Sequence, residues 1–470
     1  MTNLGGGFTS EQLEEWGIPV PPGGWVKPAK PEPVRYTLRK YQEEAVETAL
    51  WHLKNYNKPF IIQAATGAGK SLIIAEICHR LNEPVLILQP SIELLDQNYS
   101  KLKSYGIEDI AIYSAGKGQK NIGKFTYATI GSIYKVPEKF KDFKYVIIDE
   151  CHQVNPQNLD GMYRKFLTSI GAKNVCGLTA TPYRLVQKFA TVNGMLTYTA
   201  HLRMLNRIPP FFFKKIAYKV ETDELIKMGY LAPIKYHSDM AKMEKLMINS
   251  TGADYTSESL EAWSETRTDR VVEVTAFSAS NAKRTLVFCS SIKQAEIALE
   301  RFSDRMRREK DQDEQSTILR PGTSLAASGA STGAIVTGKT PAKDREQIVA
   351  DFRAGRINVL FNVGVFTTGF DVPELNSIIL ARPTMSLSLY YQMVGRGVRL
   401  DPNDPNKVLR VFDLANVVSN MGRVETIKLG KEPHKTIQGF EMDTINSEVG
   451  RMDETPLFSF QVKKDIFKKG

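Results

Sequence analysis

"PFIIQAATGAGKS", residues 59–71, carries three structural instructions in a row. Its first half is a short apolar run bounded by Pro59 and small residues, the pattern of a buried strand. Thr66, Gly67, Ala68 and Gly69 then form a loop of small residues whose backbone N–H groups can close around phosphate oxygens. Lys70 and Ser71 open a segment in which Ile74, Ile77, Cys78 and Leu81 share one helical face, so the phosphate would sit at a helix N-terminus. In such a loop the lysine reaches the β- and γ-phosphates of a nucleotide and the hydroxyl ligates Mg²⁺, the roles expected of Lys70 and Ser71. The full pattern, G-x-x-x-x-G-K-[ST], departs at its first position, where Ala64 stands.

Outward from this loop, the same alternation continues. "PVLILQP", "YVIIDE" and "NVCGLTA" are further short apolar runs with helix-period segments between them. "RTLVFCSS", "GAIVTGKT", "INVLFNVGV" and "NSIILARP" repeat the rhythm between residues 284 and 383. Strand–helix alternation predicts parallel sheets with helices on both faces, and two such sets predict two tandem α/β domains. The expected boundaries are a Pro/Gly-rich arm at 1–34, a first domain at 35–220, a second at 221–420 and a polar tail at 421–470. "DRMRREKDQDEQSTILRPGTSLAASGASTG" (304–333) breaks the second domain's rhythm and reads as a surface insertion.

Ligands of parallel sheets bind at the carboxyl ends of the strands. "YVIIDECH" (145–152) delivers Asp149 and Glu150 to that edge. The expected roles are a Mg²⁺ ligand for Asp149 and a water-orienting carboxylate for Glu150. Cys151 and His152 have no second Cys/His pair to complete four metal ligands. His152 is expected instead to couple the acids to Thr179 and Thr181 in "LTATP" (178–182). Together these residues form machinery for phosphoryl transfer from ATP to water, which also needs a cation for the charge that grows on the γ-phosphate. "MVGRGVRL" (393–400) holds two arginines between glycines.

Composition narrows the class without deciding it. Apolar residues make up 42% of the 470-residue chain and charged residues 24%. No run of eighteen apolar residues and no basic, apolar leader is present, so a cytoplasmic protein without membrane contact is expected. The four cysteines lack C-x-x-C spacing, which argues against a disulfide framework or zinc. Lys and Arg number 62 against 52 Asp and Glu, a formal net charge of +10 that suits a polyanionic partner.

With these residues placed, the chain resembles the superfamily-2 helicases from about residue 36 to 415. "TLRKYQ" (37–42) is similar to the adenine-reading Q motif, which implies Gln42 on the base with Arg39 beside it. "ATGAGKS" corresponds to motif I, "LQPSIELLDQ" (88–97) to motif Ia and "TIGS" (129–132) to motif Ib. "DECH" corresponds to motif II and "TAT" (179–181) to motif III. "VFCSS" (287–291), "NVGVFTTGFDVP" (362–373) and "QMVGRGVR" (392–399) correspond to motifs IV, V and VI. RadD-type bacterial helicases and phage branch-migration helicases resemble it most, although no Cys follows Cys289 to build the zinc module of the RadD type.

The resemblance implies two RecA-like domains with ATP and Mg²⁺ in the cleft between them. It places Gly369 and Asp371 on the nucleotide, and Gln392, Arg396 and Arg399 at the same cleft, the arginines as fingers toward the γ-phosphate. Nucleic acid would cross both domains, on Pro90, Ser91, Gly131 and Ser132 in the first and Ser291, Thr337, Gly338 and Val363 in the second. Small residues at loop–helix junctions contact backbone rather than bases. Lys343 and Arg345 are further candidate phosphate contacts. "DECH" and Gln392, in place of the DEAD and His of DEAD-box RNA helicases, favour DNA. The expected function is thus an ATP-driven helicase or translocase, working as a monomer on single-stranded, forked or branched DNA in repair or recombination, in a bacterial cell or encoded by a phage. The alternatives are an RNA-remodelling ATPase and an ATP-gated clamp that does not move.

Overall fold

The computed structural model describes residues 36–426 except 193–194, 240, 242, 244–245, 250–253, 318–331, 366–369 and 371, and beyond 426 only five short strands; at 185–202, 309–317 and 342 it describes the backbone alone. The N-terminal arm and most of the tail, together with Gly369 and Asp371, lie outside the described residues.

The first sheet is built from β1 (Phe60–Ala64), β2 (Val85–Gln89), β3 (Ile110–Ser114), β4 (Gln119–Lys120), β5 (Phe125–Thr129), β6 (Tyr145–Asp149), β7 (Asn174–Thr179) and, after the antiparallel hairpin β8 (Tyr183–Val192) and β9 (Met195–Met204), β10 (Ile216–Val220). Its order is β10-β1-β7-β6-β2-β5-β3-β4, parallel throughout except for the β3–β4 edge. Both faces are covered, which is why the strands read as continuous apolar runs. Along β6, Tyr145 and Ile147 face the cluster under helices Lys40–Asn55, Lys70–Leu81 and Ile92–Lys103, while Val146 and Ile148 face the cluster around Phe140 and Phe166. The central strands thereby bring Gly69, Asp149 and Thr179 to one edge.

The second sheet comprises β11 (Ile234–Ser238), β12 (Thr285–Cys289), β13 (Gly333–Thr337), β14 (Val359–Val363), β15 (Ser377–Ala381) and β16 (Leu409–Asp413), ordered β11-β16-β15-β12-β14-β13 and parallel throughout. The same two-faced alternation recurs, with Leu286 and Phe288 in one cluster and Val287 and Cys289 in another.

Two features depart from the sequence reading. The helix Ile292–Thr317 runs through the first half of the segment read as a surface insertion at 304–333. Its Arg, Glu, Lys and Gln residues are strong helix formers and extend a helix begun on an amphipathic stretch. The hairpin β8–β9, ten residues on each side, interrupts the α/β alternation directly after motif III. A short strand from the tail, Phe458–Gln461, pairs with β9. No helix among the described residues is long and apolar enough to cross a membrane.

Candidate active site and nucleic-acid groove

The phosphate loop needs glycine at two points. Gly67 and Gly69 adopt φ of +85° and +80°, a region that side chains disfavour. Ala64 is still inside β1 and fully buried, so the missing first glycine of the pattern removes nothing the turn requires. Tyr41 Oη and Gln42 Nε2 both donate to Ala68 O, at 2.9 and 3.0 Å, and Gln42 Oε1 accepts from Arg39 N at 3.0 Å. Gln42 thus grips the loop itself, leaving one N–H and one lone pair for a base. The Arg39 guanidinium lies 4.5 Å from the Tyr230 ring centroid.

The acid pair is buried and internally opposed. Asn98 Nδ2 donates to Asp149 Oδ2 at 2.9 Å, and Gln97 Nε2 to Ser71 Oγ at 3.2 Å. Burial, then the neighbouring Glu150 charge, pushes the Asp149 carboxyl up to about 6. Burial opposes ionisation of Glu150 as well, but Lys70, His152 and Arg396 together hold it below the usual carboxylate range. Lys70 Nζ stands 3.5 Å from Glu150 Oε1. Glu150 also has φ +47°, a strained conformation for a non-glycine residue at the strand end. Two crowded carboxylates, one of them protonated readily, suit a cation. Among the described residues no cluster of three His, Cys, Asp or Glu side chains could hold one by itself. Asp149 and the Ser71 hydroxyl, completed by phosphate oxygens and water, are the hard-oxygen donor set that Mg²⁺ takes.

His152 stands where sequence spacing put it, beside both threonines. Its Nδ1 is 2.9 Å from Thr179 Oγ1, 3.3 Å from Glu150 Oε2 and 3.4 Å from Thr181 Oγ1. On the other side, the Ser388 hydroxyl of the second domain lies 3.0 Å from Thr181 Oγ1 and 3.4 Å from His152 Nε2. Ser388 and Gln392 are four residues apart on helix Leu387–Val394, hence on one face.

The second domain closes the site through motif VI. A Cβ on Gly395 would lie 2.5 Å from Thr66 Cβ, so the phosphate loop rests directly on this glycine and no larger residue fits. Arg396 is buried, donates to Phe370 O at 3.2 Å, and its charge acts on Glu150. The Arg399 side chain passes beside Gly67, 3.8 Å from where a Cβ would project. Buried Lys407 fixes the end of the motif by donating to the carbonyls of Arg399 and Pro373, both at 2.6 Å. Ala232 N, in the linker, donates to Val398 O at 2.7 Å.

The candidate nucleic-acid residues divide. Pro90, Ser91 and Gly131 line a cavity of about 660 Å³ at the carboxyl ends of β2 and β5. Ser91 caps helix Ile92–Lys103 by accepting from Leu94 N at 3.3 Å. Ser132 instead braces the loop, accepting from Ala115 N at 2.9 Å. In the second domain Ser291, Thr337 and Val363 follow or end the adjacent strands β12, β13 and β14, and Gly338 faces open space. Ser291 Oγ accepts from Gln294 N at 3.1 Å, and Thr337 Oγ1 from Lys339 N at 3.1 Å, so both act as caps of the turns that follow. Arg345 reaches across to the first domain, 3.1 Å from Glu93 Oε1. Lys343 is exposed.

Sequence reading missed Tyr41, Asn98, Tyr230, Ser388 and Lys407. Each acts through a partner distant in sequence, and only the Asn98 and Tyr41 positions, inside or beside matched motifs, carried any signal.

Two family profiles match the chain in tandem: "Type III restriction enzyme, res subunit" over residues 35–184 and "Helicase conserved C-terminal domain" over residues 266–401. A 51.5 kDa protein of a Lactococcus phage is 26% identical over 350 residues, covering 72% of this chain and 62% of that protein. A yeast protein named as the ATP-dependent helicase IRC3 (Saccharomyces cerevisiae) is 25% identical over 388 residues, covering 77% of this chain and 49% of its own length. The DNA 3'-5' translocase XPB2 of Sulfurisphaera tokodaii is 26% identical, covering 77% and 78%. Among solved structures, a fragment described as an HsdR subunit of a type I restriction enzyme from Vibrio vulnificus superposes with a TM-score of 0.56 at 22% identity, covering 83% of this chain and 67% of that one. Dbp5 of S. cerevisiae bound to RNA and ADP BeF3 gives 0.52 at 16% identity, covering 81% and 85%. These likenesses establish the two-domain RecA-like fold.

Proposed function

Because this chain belongs to the superfamily-2 helicases, we propose that it hydrolyses ATP in the cleft between its two domains and uses the cycle to move along DNA. The observation that carries this reading is the meeting of Lys70, Asp149 and Glu150 with Arg396 and Arg399 across the Thr66–Gly395 contact. Without nucleotide, Lys70 is paired with Glu150. An incoming triphosphate competes for Lys70, freeing an ionised Glu150 to orient and polarise the attacking water. Mg²⁺ held by Asp149 and Ser71 would offset charge on the β- and γ-oxygens. Arg399, with Arg396, supplies the remaining positive charge from the second domain, so the transition state is stabilised only when the cleft is shut.

His152, Thr179, Thr181 and Ser388 join the acid pair to the second domain and give hydrolysis a route to domain motion. Alternate closing and opening of two phosphate-gripping domains moves the chain along one strand. Backbone contacts through Ser91, Gly131, Ser291, Thr337 and Val363 read phosphates, so little sequence preference is expected. DNA is favoured over RNA by the DECH form of motif II and by Gln392, and the name of the archaeal translocase relative points the same way. We further propose that the chain works as a monomer on forked or branched DNA, as repair and recombination require.

Hydrolysis measured with single-stranded DNA, with single-stranded RNA and with neither is the test. Stimulation by DNA is expected. Stimulation by RNA alone would make the protein an RNA-remodelling ATPase, and the absence of any stimulated hydrolysis would make it an ATP-gated clamp.

A further inference from the structure

The cavity beside motif Ia has a second wall that no motif accounts for. Opposite Ser91 and Gly131 stand Asn155, Asn158 and Arg164, the last on helix Met162–Ser169. The Arg164 guanidinium carbon lies 4.4 Å from the Phe212 ring centroid. Its Nε is buried with no hydrogen-bond partner, and among the described residues no carboxylate lies within ion-pair distance of it. Burial lowers its pKa, as for a cation whose charge nothing nearby offsets. Glu93, the carboxylate on the facing wall, is engaged by Arg345 at 3.1 Å. A guanidinium held flat against an aromatic ring, with its charge unmatched, is set to receive an anion.

The groove itself indicates which anion. Its other wall is the start of a twelve-residue helix, Ile92–Lys103, whose first turn presents N–H groups and the partial positive charge of the helix end. Open Gly131 offers backbone without a side chain in the way. Donors on both walls and side-chain amides on one suit a phosphodiester chain lying lengthwise between them.

We propose that Arg164, assisted by the amides of Asn155 and Asn158, binds a backbone phosphate of the strand seated against Ser91 and Gly131. This rests on the reading of the protein as a DNA-binding ATPase. The contact has a direct line to the acid pair. Asn155 is three residues beyond His152, whose ring touches Glu150 and whose carbonyl accepts from Arg184 Nη1 at 2.8 Å. A strand in the groove therefore presses on the segment that carries motif II.

Fluorescence anisotropy with labelled single-stranded DNA over a series of salt concentrations tests this. For Arg164→Gln, affinity should fall about tenfold, the usual weight of a charge-assisted hydrogen bond. The slope of log affinity against log salt should drop by about one, independent of base sequence. Arg164→Lys should restore the slope. Melting temperature and ATP-analogue affinity report whether Arg164→Gln folds. Should it fail to fold, Asn158→Asp, at an exposed position, carries the test, with a weakening of about tenfold expected from a carboxylate placed beside the phosphate. Wild-type affinity and slope in the folded variants would overturn the inference. Absence of DNA binding by the wild-type protein would instead overturn the underlying function.

Discussion

The two sheets have the same architecture but opposite chemistry at their edges. The first carries the groups under stress: a buried acid pair, Glu150 at positive φ, and a loop that depends on two glycines at positive φ. The second carries cations tied to backbone, Arg396 on Phe370 O and Lys407 on the carbonyl of Arg399 itself. Neither edge is a complete hydrolase. The first can bind a nucleotide and set up water, and the second can only neutralise charge that the first creates. Splitting the catalytic groups in this way makes closure the event that permits chemistry.

Substitutions can break that division from either side. Glu150→Gln should keep ATP and DNA binding while single-turnover hydrolysis falls by up to about 10⁴, the range of a lost general base. Near-wild-type hydrolysis would remove Glu150 from its role. On the other side, Arg399→Ala should leave ATP affinity within severalfold and lower hydrolysis by roughly 10³. If DNA binding vanished and basal hydrolysis stayed normal, the arginine would belong to the nucleic-acid track instead.

A smaller effect concerns pH. The Asp149 carboxyl is raised to about 6, so the nucleotide-free fold binds a proton that the unfolded chain releases near its ordinary value. That contribution to stability is full in acid and is lost as pH rises through about 6. Asp149→Asn should therefore raise the melting temperature at pH 8 and leave it little changed at pH 4. For the same reason Mg²⁺-dependent ATP binding should weaken below about pH 6 in the wild type. A variant with an unshifted melting temperature at pH 8 would argue against the buried pair. Ser388→Ala should have the smallest effect, a loss of severalfold in the ratio of DNA-stimulated to basal hydrolysis, since it removes one hydroxyl contact at 3.0 Å between the domains.

The same contrast explains what could be read from sequence. Phe60–Ser71 and Tyr145–His152 were legible because strand, loop and catalytic group are contiguous there, and chain chemistry is local. Motif VI was legible as two arginines, but its seating on Thr66 was not, because a glycine chosen for close approach looks like any other glycine. Gln42 reads as a base contact by resemblance, whereas in the fold it first closes the loop through Ala68 O. Asn98, Tyr230 and Ser388 act across gaps of 50 residues or more, which periodicity does not register. The β8–β9 hairpin did leave a signal: Asn193-Gly194 falls between Val192 and Met195, which pair in register, and Asn-Gly between strand-forming runs marks a hairpin. The surrounding α/β rhythm masked it. The helix through 304–317 was hidden for the opposite reason, since a mixed-charge run suits both a solvated helix and a loop.

The contact between Thr66 and Gly395 touches no reacting group, so it isolates closure from chemistry. Hydrolysis and ATP affinity should be measured side by side for Gly395→Ala, whose added methyl would meet the Thr66 side chain at 2.3 Å. ATP affinity close to wild type with hydrolysis lowered about 10²-fold is expected, as for catalytic groups held an ångström out of place. Wild-type hydrolysis in that variant would contradict a site assembled from both domains.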